Sequence, residues 1–243
     1  MAKPLSYKLK REAKRILIRS GLMQPYQPEF FEGFADVSKL SAATLLPFVL
    51  GLLKPRSIVD VGCGEGYWLA EAHRLGVDDF LGLDGDYIDR TKLAIPTERF
   101  KVADLQSGVT IDRRFDMAMS LEVAEHLAPD RADSFVADLC KLAPCVLFSG
   151  ACPHQGGTGH LNEQWPAFWA DKFASLGYLT VDIIRLRFWN QPALAWWYSQ
   201  NAVLYIHSDA TRALAALDAG KPDIYARPLP LVHPSMLARH VKR

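Results

Sequence analysis

The 243-residue sequence predicts an α/β fold in which parallel strands are joined by crossover helices. Two observations predict it. Through residues 57–207, short runs rich in Val, Ile, Leu and Phe alternate with stretches of helical periodicity. A glycine-rich turn, Gly62, Gly64 and Gly66, stands between the first such run and the helical stretch after it. A tight turn and the unpaired N–H groups of a helix N-terminus meet there. The composition, 49% hydrophobic and 23% charged, supports a core without staples and excludes a disordered or fibrous chain.

Taken in order, residues 5–19 place Leu5, Leu9, Ala13, Ile16 and Leu17 at helical spacing with Lys8, Lys10, Arg11, Lys14, Arg15 and Arg19 around them. This basic amphipathic helix reads either as the solvated face of a cap or as a contact for a membrane surface or an anionic substrate. A Pro-punctuated connection at 24–28 leads through Phe30, Phe31 and Phe34 to a second helix over about 41–53. Strands are predicted at 57–61, 80–84, 100–103, 115–120 and 145–150, with helices at about 66–75, 87–92 and 129–142. After a polar segment at 153–164 come a helix at about 165–176, a strand at 179–187, an aromatic insertion at 188–201 and a final strand at 202–207. A short Ala-rich helix then gives way to a tail whose Pro222, Pro228, Pro230 and Pro234 predict extended chain. The expected organisation is a cap over 1–40, the main domain over 41–208, and a helix with a Pro-rich tail over 209–243.

A net charge of +1 gives no general electrostatic reason to expect sequence-specific nucleic-acid binding. The longest apolar stretch, 42–53, contains Pro47 and falls short of a bilayer span, so no transmembrane helix is expected. No secretory signal is expected either. Cys63, Cys140, Cys145 and Cys152 show no CxxC pairing and read as free thiols of a cytoplasmic protein.

The glycine turn is weak evidence alone. A nicotinamide-binding fingerprint would place its third glycine where Tyr67 stands, and Asp60 ahead of the turn would repel a pyrophosphate but favour an ammonium group. Asp84 ends the second strand, where a carboxylate can accept both hydroxyls of a ribose. Asp104 ends the third, beside Leu105, where it can accept from an adenine amine. Each acid singly is also an ordinary turn or cap residue; the three together point to one crevice.

At these residues, above all Val-Asp-Val-Gly-Cys-Gly-Glu-Gly at 59–66 and Asp84, the chain resembles the class I S-adenosylmethionine-dependent methyltransferases. The resemblance runs over about 41–207. It implies a Rossmann-like, doubly wound seven-stranded sheet, mostly parallel with an antiparallel last strand and helices on both faces. It also implies S-adenosylmethionine as methyl donor, with Gly62, Cys63, Gly64 and Gly66 around its methionine portion, Asp84 and Gly85 at the ribose, Asp104 and Leu105 at the adenine, and Leu121 completing the pocket.

After the fourth strand, Glu-Val-Ala-Glu-His at 122–126 is similar to a stretch of the ubiquinone-type O-methyltransferases and the small-RNA 3'-end 2'-O-methyltransferases. Some of those hold a divalent ion with both glutamates and two histidines. The resemblance therefore implies Mg, Mn or Zn at Glu122, Glu125, His126 and either His160 or His154, where an ion would lower the pKa of a bound hydroxyl. Without a metal, Glu122 and Glu125 are N-terminal helix carboxylates, and His126, His154 or His160 is the general base. Trp165, Trp169, Trp189, Trp196 and Trp197, with Asn190, Gln191, Gln200 and Asn201, read either as platforms for a sugar or small-molecule substrate or as core and dimer-interface packing. The leading expectation is methylation of a hydroxyl, with an amine as rival. A nicotinamide oxidoreductase and a non-catalytic protein retaining the cofactor fold stand as alternatives.

Overall fold

A computed structural model describes residues 35–217 and 227–241. The basic helix at 5–19 and the aromatic residues Phe30, Phe31 and Phe34 lie outside the described residues. The elements are α1 (Ala35–Leu53), β1 (Ser57–Val61), α2 (Tyr67–Arg74), β2 (Asp79–Asp84), β3 (Phe100–Val102), β4 (Met117–Leu121), α3 (Ala132–Leu142), β5 (Cys145–Ser149), α4 (Pro166–Ser175), β6 (Tyr178–Val181), α5 (Ile184–Phe188), α6 (Trp196–Asn201), β7 (Val203–His207), α7 (Thr211–Ala216) and α8 (Pro234–Val241).

The strands form one seven-stranded sheet in the order β3-β2-β1-β4-β5-β7-β6. β7 runs antiparallel to both β5 and β6, and the remaining pairs are parallel. Alternation along each strand sorts side chains to opposite faces. Ile58, Met117, Met119, Leu147, Leu204 and Ile206 pack with Leu45 and Val49 of α1 and Leu69 of α2. Val59, Ala118, Val146, Phe148, Val203 and Tyr205 pack with Phe135 and Leu139 of α3 and Trp169 and Phe173 of α4. Strand order reverses between β1 and β4, so their carboxyl ends open a crevice at the switch point, where ligands of such sheets bind.

The structure corrects several expected elements. α1 is already helical at Ala35, six residues before the expected start at 41. At 19 residues it is long and apolar enough, by length and composition, to cross a membrane, which the shorter stretch 42–53 did not predict. Ala42, Leu45, Leu46 and Val49 on one of its faces are nevertheless fully buried in the core. The helix expected at 87–92 shrinks to one 3-10 turn, Arg90–Lys92, because the Asp89 carboxylate accepts from the Thr91 N–H at 2.9 Å and competes with helical bonding. The strand expected at 179–187 ends at Val181 and α5 follows. The cause is the buried Arg185, whose Nε donates to both Asp182 oxygens at 3.0 and 3.1 Å. Residues three apart face each other on a helical turn but not on a strand.

The tail is likewise not simply extended. Pro234 opens α8, at a position where its missing N–H costs nothing, and Met236 of that helix is buried.

Candidate functional site

One cavity of about 880 Å³ lies over the carboxyl ends of β1, β2, β3 and β4, closed by the loop that follows β5. Its first half is made of turns. Gly62, Gly64 and Gly66 have φ of +86°, +55° and +84°, a conformation that a side chain would strain. A Cβ on Gly62 would sit 2.3 Å from Cγ2 of Val123, so the β1 and β4 loops meet with no room to spare. The Gly64 N–H donates to Oδ2 of Asp84 and the Gly85 N–H to Oδ1, both at 2.7 Å. The Tyr87 hydroxyl donates to the same Oδ1 at 2.5 Å, its ring lying across Gly85. Asp84 is 4% exposed, and burial raises its carboxyl above the ordinary value although these three donors oppose the shift.

Cys63, Gly64, Glu65, Gly85, Asp104, Leu105 and Leu121 join Gly62 and Asp84 in the lining. Asp104 turns its carboxylate toward its own loop, accepting from the Gln106 N–H at 3.0 Å and the Ser107 hydroxyl at 2.5 Å. Two expected cofactor residues do not line the cavity. Gly66 backs onto Ile95 and serves the turn into α2. Asp60 is 2% exposed below the loop, where burial and, secondly, the Asp84 charge push its carboxyl up to about 8.

The second half is made of side chains from distant segments. Glu122 follows β4 at φ +58°, an uncommon conformation for a residue with a side chain. Its N–H is held by the Ser149 hydroxyl at 3.0 Å and the Ser149 carbonyl at 3.1 Å. Oε2 accepts from Gln155 Nε2 at 2.6 Å and Oε1 from Asn201 Nδ2 at 3.1 Å. Glu125 is 1% exposed, and neither carboxylate oxygen has a hydrogen bond of normal geometry among the described residues. Burial and the neighbouring Glu122 charge hold its carboxyl well above the usual range.

His126 and His160 pack edge to face with centroids 4.8 Å apart. Burial and then the His160 charge push the His126 imidazole down to about 3, so it is neutral. His160 Nδ1 lies 3.0 Å from Oε1 of Glu163, which also accepts from the Gly156 N–H, while Oε2 accepts from the His154 N–H. Burial would raise the Glu163 carboxyl, but His160 and these two amides together hold it below its ordinary value. The loop 154–163 is hooked to the turn after β4 through the Glu125 carbonyl, which accepts from the Leu161 and Asn162 N–H groups at 2.7 and 3.0 Å.

The four residues expected at a metal are not brought together as one set. One ligand atom each from Glu125, His126 and His160 lies within 4.8 Å of the others, whereas Glu122 is committed to its two amide donors. His154 is exposed and outside the cavity lining, which removes it from the candidate bases. The aromatic residues divide as well. Trp169 is core, tilted against Phe148 and edge-on to Phe168, while Trp196 and Trp197 line the cavity with Trp68 and Tyr198. Gln200 and Asn201 are buried in the wall rather than presented to a substrate.

Sequence reading missed Tyr87, Gln155 and Glu163. Glu163 was the most accessible of these, three residues after His160 in the same polar stretch.

A family model described as Methyltransferase domain matches residues 35–208. No curated protein is significantly similar in sequence. Among solved structures, the fold is similar to that of Streptomyces venezuelae DesVI, at 12% identity and TM-score 0.54 over 74% of this chain and 95% of that one. It is also similar to SAM-bound CalS10, an amino pentose methyltransferase from Micromonospora echinaspora, at 12% identity and TM-score 0.53 over 75% and 98%. Human N-acetylserotonin methyltransferase in complex with SAM gives 14% identity and TM-score 0.51 over 72% of this chain and 53% of that one. At these identities the likeness is one of fold.

Proposed function

The chain belongs to the methyltransferase-domain family, and on that premise we propose that it transfers the methyl group of S-adenosylmethionine to a hydroxyl, or an amine, of a small molecule or sugar. The observation that carries this reading is the continuity of one cavity from the Gly62–Gly64 turn and Asp84 to Glu125 and His160. S-adenosylmethionine, when bound, supplies a methyl group on a positively charged sulfur, ready for in-line attack.

The residues of the first half fit that donor. Two carboxylate oxygens offer about four lone-pair sites. Asp84 uses three of them on Gly64, Gly85 and Tyr87, so release of the Tyr87 hydroxyl leaves two for a ribose diol. Leu105 and Leu121 supply apolar wall, and Asp104 stands at the adenine end.

In the second half, His160 takes the proton of the acceptor's hydroxyl. Glu163 accepts from its Nδ1–H, which fixes the ring and leaves Nε2 as the basic nitrogen. Trp196 and Trp197 offer flat apolar faces to the acceptor's body. Methyl transfer needs alignment more than proton transfer, so positioning by these walls is the larger contribution.

The cluster of Glu125, His126 and His160, with a buried Glu125 carboxylate that no donor holds in normal geometry among the described residues, favours a second reading in which these three hold a divalent ion. One carboxylate with two imidazoles suits Zn or Mn better than Mg. An ion would polarise the acceptor's hydroxyl in place of the base.

One experiment tests the function: incubation with S-adenosylmethionine and panels of hydroxylated and aminated metabolites and sugars, reading S-adenosylhomocysteine release with and without chelator. Release with at least one acceptor is expected. Activity that persists in excess chelator selects the His160 base. Absence of both donor binding and release overturns the proposal.

A further inference from the structure

The described tail, residues 227–241, lies beyond the matched family region 35–208 yet reaches back to the site. Arg227 pairs with Asp171 at 2.6 Å, and Arg185 Nη2 donates to the Leu229 carbonyl at 2.9 Å. The His233 ring lies 2.8 Å from the Trp189 carbonyl, and Met236 Sδ lies 3.7 Å from Cys152 Sγ. These contacts pin a strap across the outer wall of the cavity.

The strap ends a buried chain of amides. The His233 N–H donates to Gln200 Oε1 at 2.7 Å. Gln200 Nε2 lies 3.3 Å from Gln155 Oε1, 3.2 Å from Asn201 Oδ1 and 3.0 Å from Cys152 Sγ. Asn201 Nδ2 donates to Gln155 Oε1 at 2.8 Å, and both Asn201 and Gln155 donate onward to the two oxygens of Glu122. Gln155, Gln200 and Asn201 are all buried. Each amide in this chain has its direction fixed by its neighbours, because a carboxylate only accepts and a backbone N–H only donates. The consequence is a Glu122 carboxylate clamped on both oxygens, lying beside the buried Glu125 carboxyl in the wall of the cavity that both residues line.

Building on the methyltransferase reading, we infer that Gln155, Gln200 and Asn201 are positioning residues that fix Glu122 as a hydrogen-bond acceptor for an O–H or N–H of the methyl acceptor, and that the strap at His233–Met236 completes the site. The acceptor then carries a donor group beside, or at, the methylated position. Such a relay explains why a non-glycine residue keeps φ +58° at the end of β4: its side chain and its N–H are both held from the far wall.

The test uses full-length protein carrying 13C-labelled glutamate, with the Glu122 Cδ resonance assigned by its loss in Glu122→Gln. Gln200→Met keeps the volume but removes the amide, and its side chain lies one link away from Glu122. It is expected to move the Glu122 resonance and lower turnover about tenfold or more, while S-adenosylhomocysteine affinity stays within about twofold. An unmoved resonance overturns the relay, whatever happens to turnover. Should Gln200→Met fail to fold, Met236→Ala loosens the strap from outside and is expected to move the same resonance. A resonance that stays in place there removes the strap from the site. If the resonance moves as expected in a protein that neither binds S-adenosylhomocysteine nor releases it with any acceptor, the relay stands and the methyltransferase reading falls.

Discussion

The two halves of the cavity are built differently. The half over β1, β2 and β3 is built of backbone turns with the buried carboxylates Glu65 and Asp84, all within residues 62–105, and the donors to Asp84 are the amides of Gly64 and Gly85 together with the Tyr87 hydroxyl. The half over β4 and β5 gathers side chains from 122–126, 155–163 and 196–201, held from behind by a strap at 227–241. The first is rigid through local geometry, so single substitutions there disturb fold and donor binding together. The second is rigid through long-range hydrogen bonds, so substitutions there separate turnover from donor binding.

The largest expected effect is at Gly62. A valine there meets a left-handed φ and a Val123 methyl within 2.3 Å of its Cβ, two penalties that together reach about 3 kcal/mol or more. Gly62→Val is expected to lower the unfolding midpoint in urea and abolish S-adenosylhomocysteine binding; a variant that binds normally breaks the picture of a rigid first half. Next is Asp84→Ala, which strands the Gly64 and Gly85 N–H groups as well as removing the ribose acceptor. Calorimetry is expected to show a loss of about 3 kcal/mol, roughly a hundredfold in Kd.

In the second half, Glu163→Gln removes the charge behind His160 and is expected to cost about ten- to a hundredfold in turnover with donor affinity unchanged. An equal loss of donor affinity would erase the distinction between the halves.

The gentlest effect over any one pH step is a stability slope from Asp60. Its carboxyl keeps its proton up to about pH 8 in the folded chain but ionises near 3.8 when unfolded. That contribution is complete below pH 3.8 and is lost as pH rises through 8, at no more than about 1.4 kcal/mol per pH unit. Asp60→Asn is expected to flatten the fall of melting temperature between pH 5 and 8; parallel curves would show that Asp60 ionises normally.

Legibility followed the same division. The strand–glycine–helix turn and the acid ending β2 are local patterns, and local patterns are written in consecutive residues. The sheet's reversal at β7 was legible only through resemblance, because pairing partners such as Leu147 and Leu204 lie far apart in sequence. Glu122 was identified as a site residue, but its commitment to Gln155 and Asn201 was not, since neither sequence spacing nor residue type reveals which amide will face which carboxylate. The prolines of the tail predicted extension and concealed α8, because Pro234 occupies the one helical position where proline is favourable. His160 was the first candidate on paper and His154 its alternative; the loop's attachment to Glu125 and Glu163 turned His160 inward and left His154 exposed.

Calorimetric titration of S-adenosylhomocysteine into wild type, Asp84→Ala and Glu125→Gln tests the central claim most directly, that the first half binds the donor independently of the second. Saturable one-to-one binding to wild type, nearly equal affinity in Glu125→Gln and about hundredfold weaker binding in Asp84→Ala are predicted. No binding to wild type, or an affinity that falls in Glu125→Gln as far as in Asp84→Ala, would contradict the account.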